Sequence, residues 1–219
     1  MDRFGDAVIS VIVGEHWNAP QTFTIHESVI TRFSDFFAAA VKNGWKESED
    51  RVVRLPDRLA SDFEVFQSFI YIGRIFNNDP TELPNADMNE YTALALLWGL
   101  GEELQSTAFK DAVVDAFIEV LRNHEYMFNF AYGIIYSKSA GASPMRRLQV
   151  DTALWKWDAE TVKNALSSET YSDFFQDLAA EQQKFIVHGR PARAPYLRSA
   201  SCVYHEHCGS GSPCYKTMF

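Results

Sequence analysis

Strand-forming sequence in this chain is confined to its first quarter, in three short stretches: Asp6 to Val13 (DAVISVIV), Gln21 to Ile25 (QTFTI) and Arg51 to Leu55 (RVVRL). Beyond Leu55 the apolar residues recur at helical spacing. A sheet built from so few short strands cannot close into a barrel or stack as a sandwich, so helices must cover it. The first stretch is β-branched and almost entirely apolar, which predicts a strand covered on both faces. The second alternates, with Phe23 and Ile25 on one side, as a half-buried strand does. The third is ended by Pro56-Asp57.

Helical signals fill the remainder. Val29, Ile30 and Phe33 are spaced for a short buried helix, and Ser34 is placed to cap a second one through Phe37 and Val41 to a stop at Gly44. Ser61 and Glu64 read as a capping box, with Phe63, Phe66 and Ile70 on one helical face and Gly73 as the stop. Residues 77–89, rich in Asn, Asp and Pro, predict a loop, after which Tyr91, Leu94 and Trp98 resume core spacing. From Ser106 to Asn123, Phe109, Val113, Phe117 and Leu121 form an apolar stripe, with Lys110, Asp111, Asp115 and Glu119 opposite. Further helices are expected at Met127, Phe130 and Ile134, after Ser143-Pro144 through Leu148 to Trp157, and from Ser172 to His188 with Phe175, Leu178 and Phe185 inward. The order ββααβαα followed by helices alone predicts an α+β domain over residues 4–104, an all-helical extension over 105–189 and a flexible Cys/His-containing tail over 190–219.

Composition narrows the partners. Hydrophobic residues make up 47% and charged residues 22%, including seventeen Phe and five Trp, which is ample for a packed core. A net charge of −9 argues against nucleic acid or an anionic membrane as a partner. The 190–219 segment is the basic exception, with Arg190, Arg193, Arg198 and Lys216 against Glu206. The longest apolar run, Ala93 to Leu100, falls well short of the roughly 20 residues of a membrane span. Met1 to Asp6 lacks the basic segment of a secretory leader. Cys202, Cys208 and Cys214 are odd in number and confined to the tail, so no disulfide framework is expected for the core and a cytoplasmic or nuclear setting fits.

Several motifs together carry a family resemblance. They are Phe4-Gly5-Asp6 before the first strand, Phe23-Thr24-Ile25-His26 entering a helix, Ser34-Asp35-Phe36-Phe37 starting the next, Gly44-Trp45-Lys46-Glu47-Ser48, Val53-Arg54-Leu55-Pro56-Asp57, and Phe66 to Gly73 (FQSFIYIG). With the order of elements, they make the first hundred residues resemble the BTB/POZ domain, in particular the short BTB proteins of filamentous fungi. The resemblance implies a small sheet with a cluster of helices that self-associates or binds other proteins and performs no chemistry. With five residues before Asp6, a swapped N-terminal strand is not expected. One departure is the pair Gly99 and Gly101, where two glycines are expected to loosen the helix by about 1 kcal/mol each.

Many BTB proteins are substrate adaptors of cullin-type ubiquitin ligases, and their cullin-contacting loop has a hydrophobic-x-Glu pattern. Trp45, Lys46 and Glu47 match it in pattern and position, an apolar anchor beside an orienting carboxylate. The resemblance therefore implies an adaptor or scaffold that recruits a target to a cullin ligase. The alternatives are an oligomerisation or transcription-associated scaffold without a ligase link, and a zinc-dependent regulatory protein working through the tail.

That last alternative rests on Cys202, His205, His207, Cys208 and Cys214, five candidate ligands for a metal that needs four. Their spacing is not a C-x-x-C pair, and the competing reading is a tail with incidental thiols, so neither metal nor cofactor is assigned. No catalytic residue is assigned either, and no enzyme is expected. The sequence lacks G-x-S-x-G, the phosphate-loop pattern, G-x-G-x-x-G after a strand and H-E-x-x-H.

Overall fold

The computed structural model describes residues 7–16, 20–42, 50–75, 90–123, 131–139, 141–166, 172–198 and 202–219. Expectations for residues 4–6, for Gly44 to Ser48, for the 77–89 loop, and for Met127 and Phe130 lie outside them. The architecture is α+β, and among the described residues every regular element beyond Leu55 is helical.

Three strands form one mixed sheet in the order β2-β1-β3. The central strand β1 (Val8–Val13) pairs antiparallel with β2 (Gln21–His26) and parallel with β3 (Val52–Leu55), placing Val11 opposite both Phe23 and Val53. Ile9, Val11 and Val13 are fully buried, whereas Ser10 and Ile12 are half-buried and Val8 is exposed. The strand is thus closed on one face only. β-Branched sequence reports a fit to the pleat as much as double burial, which is why its composition reads as a two-sided strand.

Helices α1 (Glu27–Phe33) and α2 (Asp35–Ala40) meet at Ser34, whose hydroxyl accepts the Phe37 N–H at 3.2 Å and donates to the Leu104 carbonyl at 2.5 Å. Helix α3 (Ala60–Ile72) starts earlier than the capping-box pattern predicts. Leu59 occupies the cap position without a side-chain bond, and Ser61 is already inside the first turn. The turn closed by Arg58 N–H on the Leu55 carbonyl delivers extended backbone at Leu59, so the helix begins before the polar pair is reached. Gly73 ends α3 as expected, in the left-handed region at φ 73° with its N–H on the Phe69 carbonyl at 2.8 Å.

By packing, the chain divides into two compact units, one comprising Met1–Pro84, Leu100–Ala112 and Pro213–Phe219, the other Asn85–Gly99 and Val113–Ser212. The core of the first is aromatic. Phe63 packs on Phe23 of the sheet at 4.9 Å between ring centroids, and Phe66 meets Phe109 edge-on at 5.2 Å. Such pairs add about 0.5–1.5 kcal/mol each beyond their area. The C-terminal Phe219 stacks on Phe33 at 5.2 Å, so the end of the chain belongs to this core.

Helix α4 (Glu90–Glu103) runs unbroken through Gly99 and Gly101, and α5 spans Thr107–Asn123. Gly101 serves close packing: a Cβ there would lie 2.7 Å from Lys110 Cγ and 3.2 Å from Phe109. Lys110 and Asp111, which periodicity puts on the polar face of α5, are buried, and the Lys110 ammonium pairs with Glu102 at 3.0 Å. A second element covers the side of α5 that its own periodicity marks as outward, and ion pairing is the condition for burying such a group.

The second unit packs α6 (Ala131–Lys138), α7 (Pro144–Lys156), α8 (Ala159–Leu166) and α9 (Ser172–His188). The cap at α7 forms as the sequence predicts, with the Ser143 hydroxyl accepting the Arg146 N–H at 3.2 Å and Pro144 in the first turn. Tyr132, Val150, Ala153 and Phe174 make its core cluster, and Phe174 stacks on Tyr132 at 4.8 Å. Phe174 is the fully buried residue of α9; Phe175 and Leu178 pack beside it only partly buried.

Candidate metal centre

The segment that reads from sequence as a tail is built of short turns: a three-ten turn at Pro195–Leu197, another at Cys202–Tyr204, helix α10 (His207–Ser210) and a last turn at Tyr215–Thr217. Tyr196, Tyr204 and His205 in it are buried. Two aromatic anchors account for this, since a Tyr ring supplies large apolar area and its hydroxyl a polar handle. The Tyr204 hydroxyl donates to the buried Asp151 carboxylate of α7 at 2.5 Å, and the Arg147 guanidinium lies over the Tyr204 ring and donates to the Val203 carbonyl. Burial pushes the Asp151 carboxyl above the usual range, and the Tyr204 hydrogen bond opposes that shift. Burial likewise raises the Tyr204 phenol, reinforced by its bond to Asp151.

These anchors hold the backbone that presents the cysteines and histidines. His205 N–H closes the first turn on the Cys202 carbonyl at 2.9 Å, setting both residues on one side of it. Helix α10 follows at once, and Gly211 ends it at φ 71° with its N–H on the His207 carbonyl at 3.0 Å. Glycine takes this left-handed cap without a Cβ penalty. Cys202, His205 and His207 each offer a ligand atom, and these atoms lie within 4.8 Å of one another. His205 is buried and the other two are half-buried. The two imidazoles meet edge-on with centroids 5.1 Å apart.

Beneath the group, His205 Nε2 lies 3.0 Å from the Asp115 carboxylate of α5. Cys208 stands apart: it is exposed, and its thiol donates to the Cys202 carbonyl at 3.0 Å. Of the five candidate ligands in the sequence, Cys202, His205 and His207 are gathered within the second unit. Asp115 falls on the polar stripe of α5, and no sequence signal connects it with a residue ninety positions later.

Elsewhere the titratable groups pair locally. His26 enters α1 with its Nδ1 2.7 Å from the Tyr71 hydroxyl, which also accepts the His26 backbone N–H at 3.1 Å. His16 meets Asp57 at 2.6 Å on the exposed surface. Asp62 is buried, and desolvation pushes its carboxyl up to about 6 against the opposing charge of Arg58. Trp45, Lys46 and Glu47 lie outside the described residues. Among the described residues no helix is long and apolar enough to cross a membrane. No family model matches the chain, and no curated protein matches it.

Proposed function

We propose that this protein is an interaction module of the BTB/POZ type that binds other proteins and acts as an adaptor or scaffold, recruiting a target to a cullin-type ubiquitin ligase. The observation that supports the reading most is the arrangement within residues 8–72. Two strands form a hairpin, two short helices follow, a third strand returns parallel to the first, and a longer helix closes the group. That is the order the BTB resemblance implies, and its motif residues have structural duties in it: Ser34 caps α2, His26 and Tyr71 bond to each other, and Gly73 ends α3. Trp45 and Glu47 are the proposed contact with the ligase scaffold, the Trp as apolar anchor and the carboxylate as orienting charge.

The test is calorimetric titration of the full chain with the N-terminal domain of its host's cullin, comparing wild type with Trp45→Ala/Glu47→Ala. Saturable binding weakened by more than about 2 kcal/mol in a folded double variant is expected, the size of a hot spot. Absence of binding by folded wild type would overturn the ligase link and leave self-association, read by sedimentation equilibrium, as the activity of the module.

A further inference from the structure

We propose that residues 213–219 are an exchangeable docking segment: the aromatic seat that Phe33, Phe69 and Gly73 form in the first unit takes this segment from its own chain and, in a self-associated form, from a second copy. The inference concerns self-association and does not depend on a link to a ligase.

The seat and the segment both belong to the first compact unit, which consists of Met1–Pro84, Leu100–Ala112 and Pro213–Phe219. Phe219 stacks on Phe33 of α1 at 5.2 Å between ring centroids, with 8° between the planes, and meets Phe69 of α3 edge-on at 5.5 Å. Tyr215, four positions earlier, packs on the same Phe69 at 6.0 Å. Gly73 leaves the room for this, since a Cβ there would lie 2.6 Å from the Phe219 ring. At the rim, the Arg32 guanidinium donates to the Met218 carbonyl at 3.1 Å. A pair of apolar anchors at i and i+4, set in a groove, is a recurring way to recognise a short peptide.

The segment has the character of a docked peptide. It covers buried rings while remaining outside: Phe33 and Phe69 are 6% and 0% exposed, but Phe219 is 52% exposed and Tyr215 and Met218 are half-buried. Its turn is closed by its own backbone, with the Thr217 N–H on the Cys214 carbonyl and the Met218 N–H on the Tyr215 carbonyl, both at 3.0 Å, so part of its shape is carried by the segment itself. It follows Gly209-Ser210-Gly211-Ser212, and the division between the units falls at the end of this run. Gly/Ser sequence is compliant. A segment delivered through it makes the same contacts on the seat of a second copy as on its own, and exchange of an identical element is a low-cost route to a dimer.

Two full-length variants separate the seat from the segment. Tyr215→Ala/Phe219→Ala removes the anchors and keeps the seat, whereas Gly73→Ala fills the seat and keeps the anchors. In sedimentation equilibrium their equimolar mixture is expected to give a one-to-one complex that neither forms alone, since each supplies what the other lacks. A fluorescein-labelled peptide of residues 213–219 should bind the Tyr215→Ala/Phe219→Ala chain saturably and, in excess, dissociate that complex. Wild type should take the peptide at least about tenfold more weakly, because its own segment, held through a short linker at roughly mM effective concentration, competes. Should Gly73→Ala not fold, wild type at roughly mM concentration replaces it, with a dimer expected that Tyr215→Ala/Phe219→Ala abolishes. A folded Tyr215→Ala/Phe219→Ala chain that does not take up the peptide, failure of that chain to fold because the segment is integral to the core, or peptide binding without any complex between chains would each overturn the proposal.

Discussion

Replacing Asp62 by Asn should stabilise the protein at neutral pH, against the usual outcome of changing a buried residue. Asp62 lies in the first turn of α3, 7% exposed, and its carboxyl is raised from 3.8 to about 6, with desolvation as the larger cause and Arg58 opposing it. A folded-state pKa above the unfolded one means that folding favours the protonated acid. The stability this carries is fully present below the unfolded pKa near 3.8 and is lost as pH rises through about 6. A tenfold change in acidity corresponds to about 1.4 kcal/mol, so the ionised carboxylate costs the fold at most about 3 kcal/mol. Asn imitates the protonated acid and carries no such cost. Urea unfolding of wild type and Asp62→Asn should therefore give a variant more stable by about 2–3 kcal/mol at pH near 7.5, with the difference closing toward pH 4. Contributions from other titrating groups cancel in the comparison. A difference that stays constant with pH, or a less stable variant near pH 7.5, would show that Arg58 and the helix N-terminus hold the charge better than burial penalises it.

Two further substitutions probe the anchoring of each unit. Gly73→Ala forces a left-handed residue, at about 1–2 kcal/mol, and sets a Cβ 2.6 Å from the Phe219 ring, so it should destabilise by about 2 kcal/mol in chemical denaturation. Adding Phe219→Ala should recover the part due to the clash; a neutral Gly73→Ala would mean that neither constraint operates. Tyr204→Phe removes the donor to the buried Asp151 carboxylate and should cost about 1–3 kcal/mol. Because that bond opposes the raised Asp151 pKa, the loss should grow as pH rises through the titration of the carboxyl, and a pH-independent loss would assign it to packing.

Elements whose rules are carried by chain neighbours are legible in the sequence. The β-branched stretches become the three strands, and Ser34 and Ser143-Pro144 cap the helices their spacing predicts. Gly73 and Gly189, each placed as a helix stop, both adopt positive φ. The errors share one cause, which is that exposure belongs to pairs of elements. Lys110 and Asp111 fall on a polar stripe and are nevertheless buried, and Phe174 takes the core position that periodicity allots to Phe175. The Ser61–Glu64 pair satisfies a capping pattern, yet the path of the preceding turn starts the helix at Ala60.

The Cys/His cluster divides along the same line. By itself the sequence determined that five ligand-type side chains lie within thirteen positions at the end of the chain. Which of them converge was decided only by tertiary structure. Tyr204 on Asp151 fastens the turn to α7, and Asp115 comes to His205 from a helix distant in sequence, while Cys208 is exposed with its thiol on the Cys202 carbonyl. Local sequence sets backbone geometry through φ, ψ and the nearest hydrogen bonds, but a cluster of side chains is a long-range coincidence, fixed when burial of the tyrosine anchors selects one path for the chain.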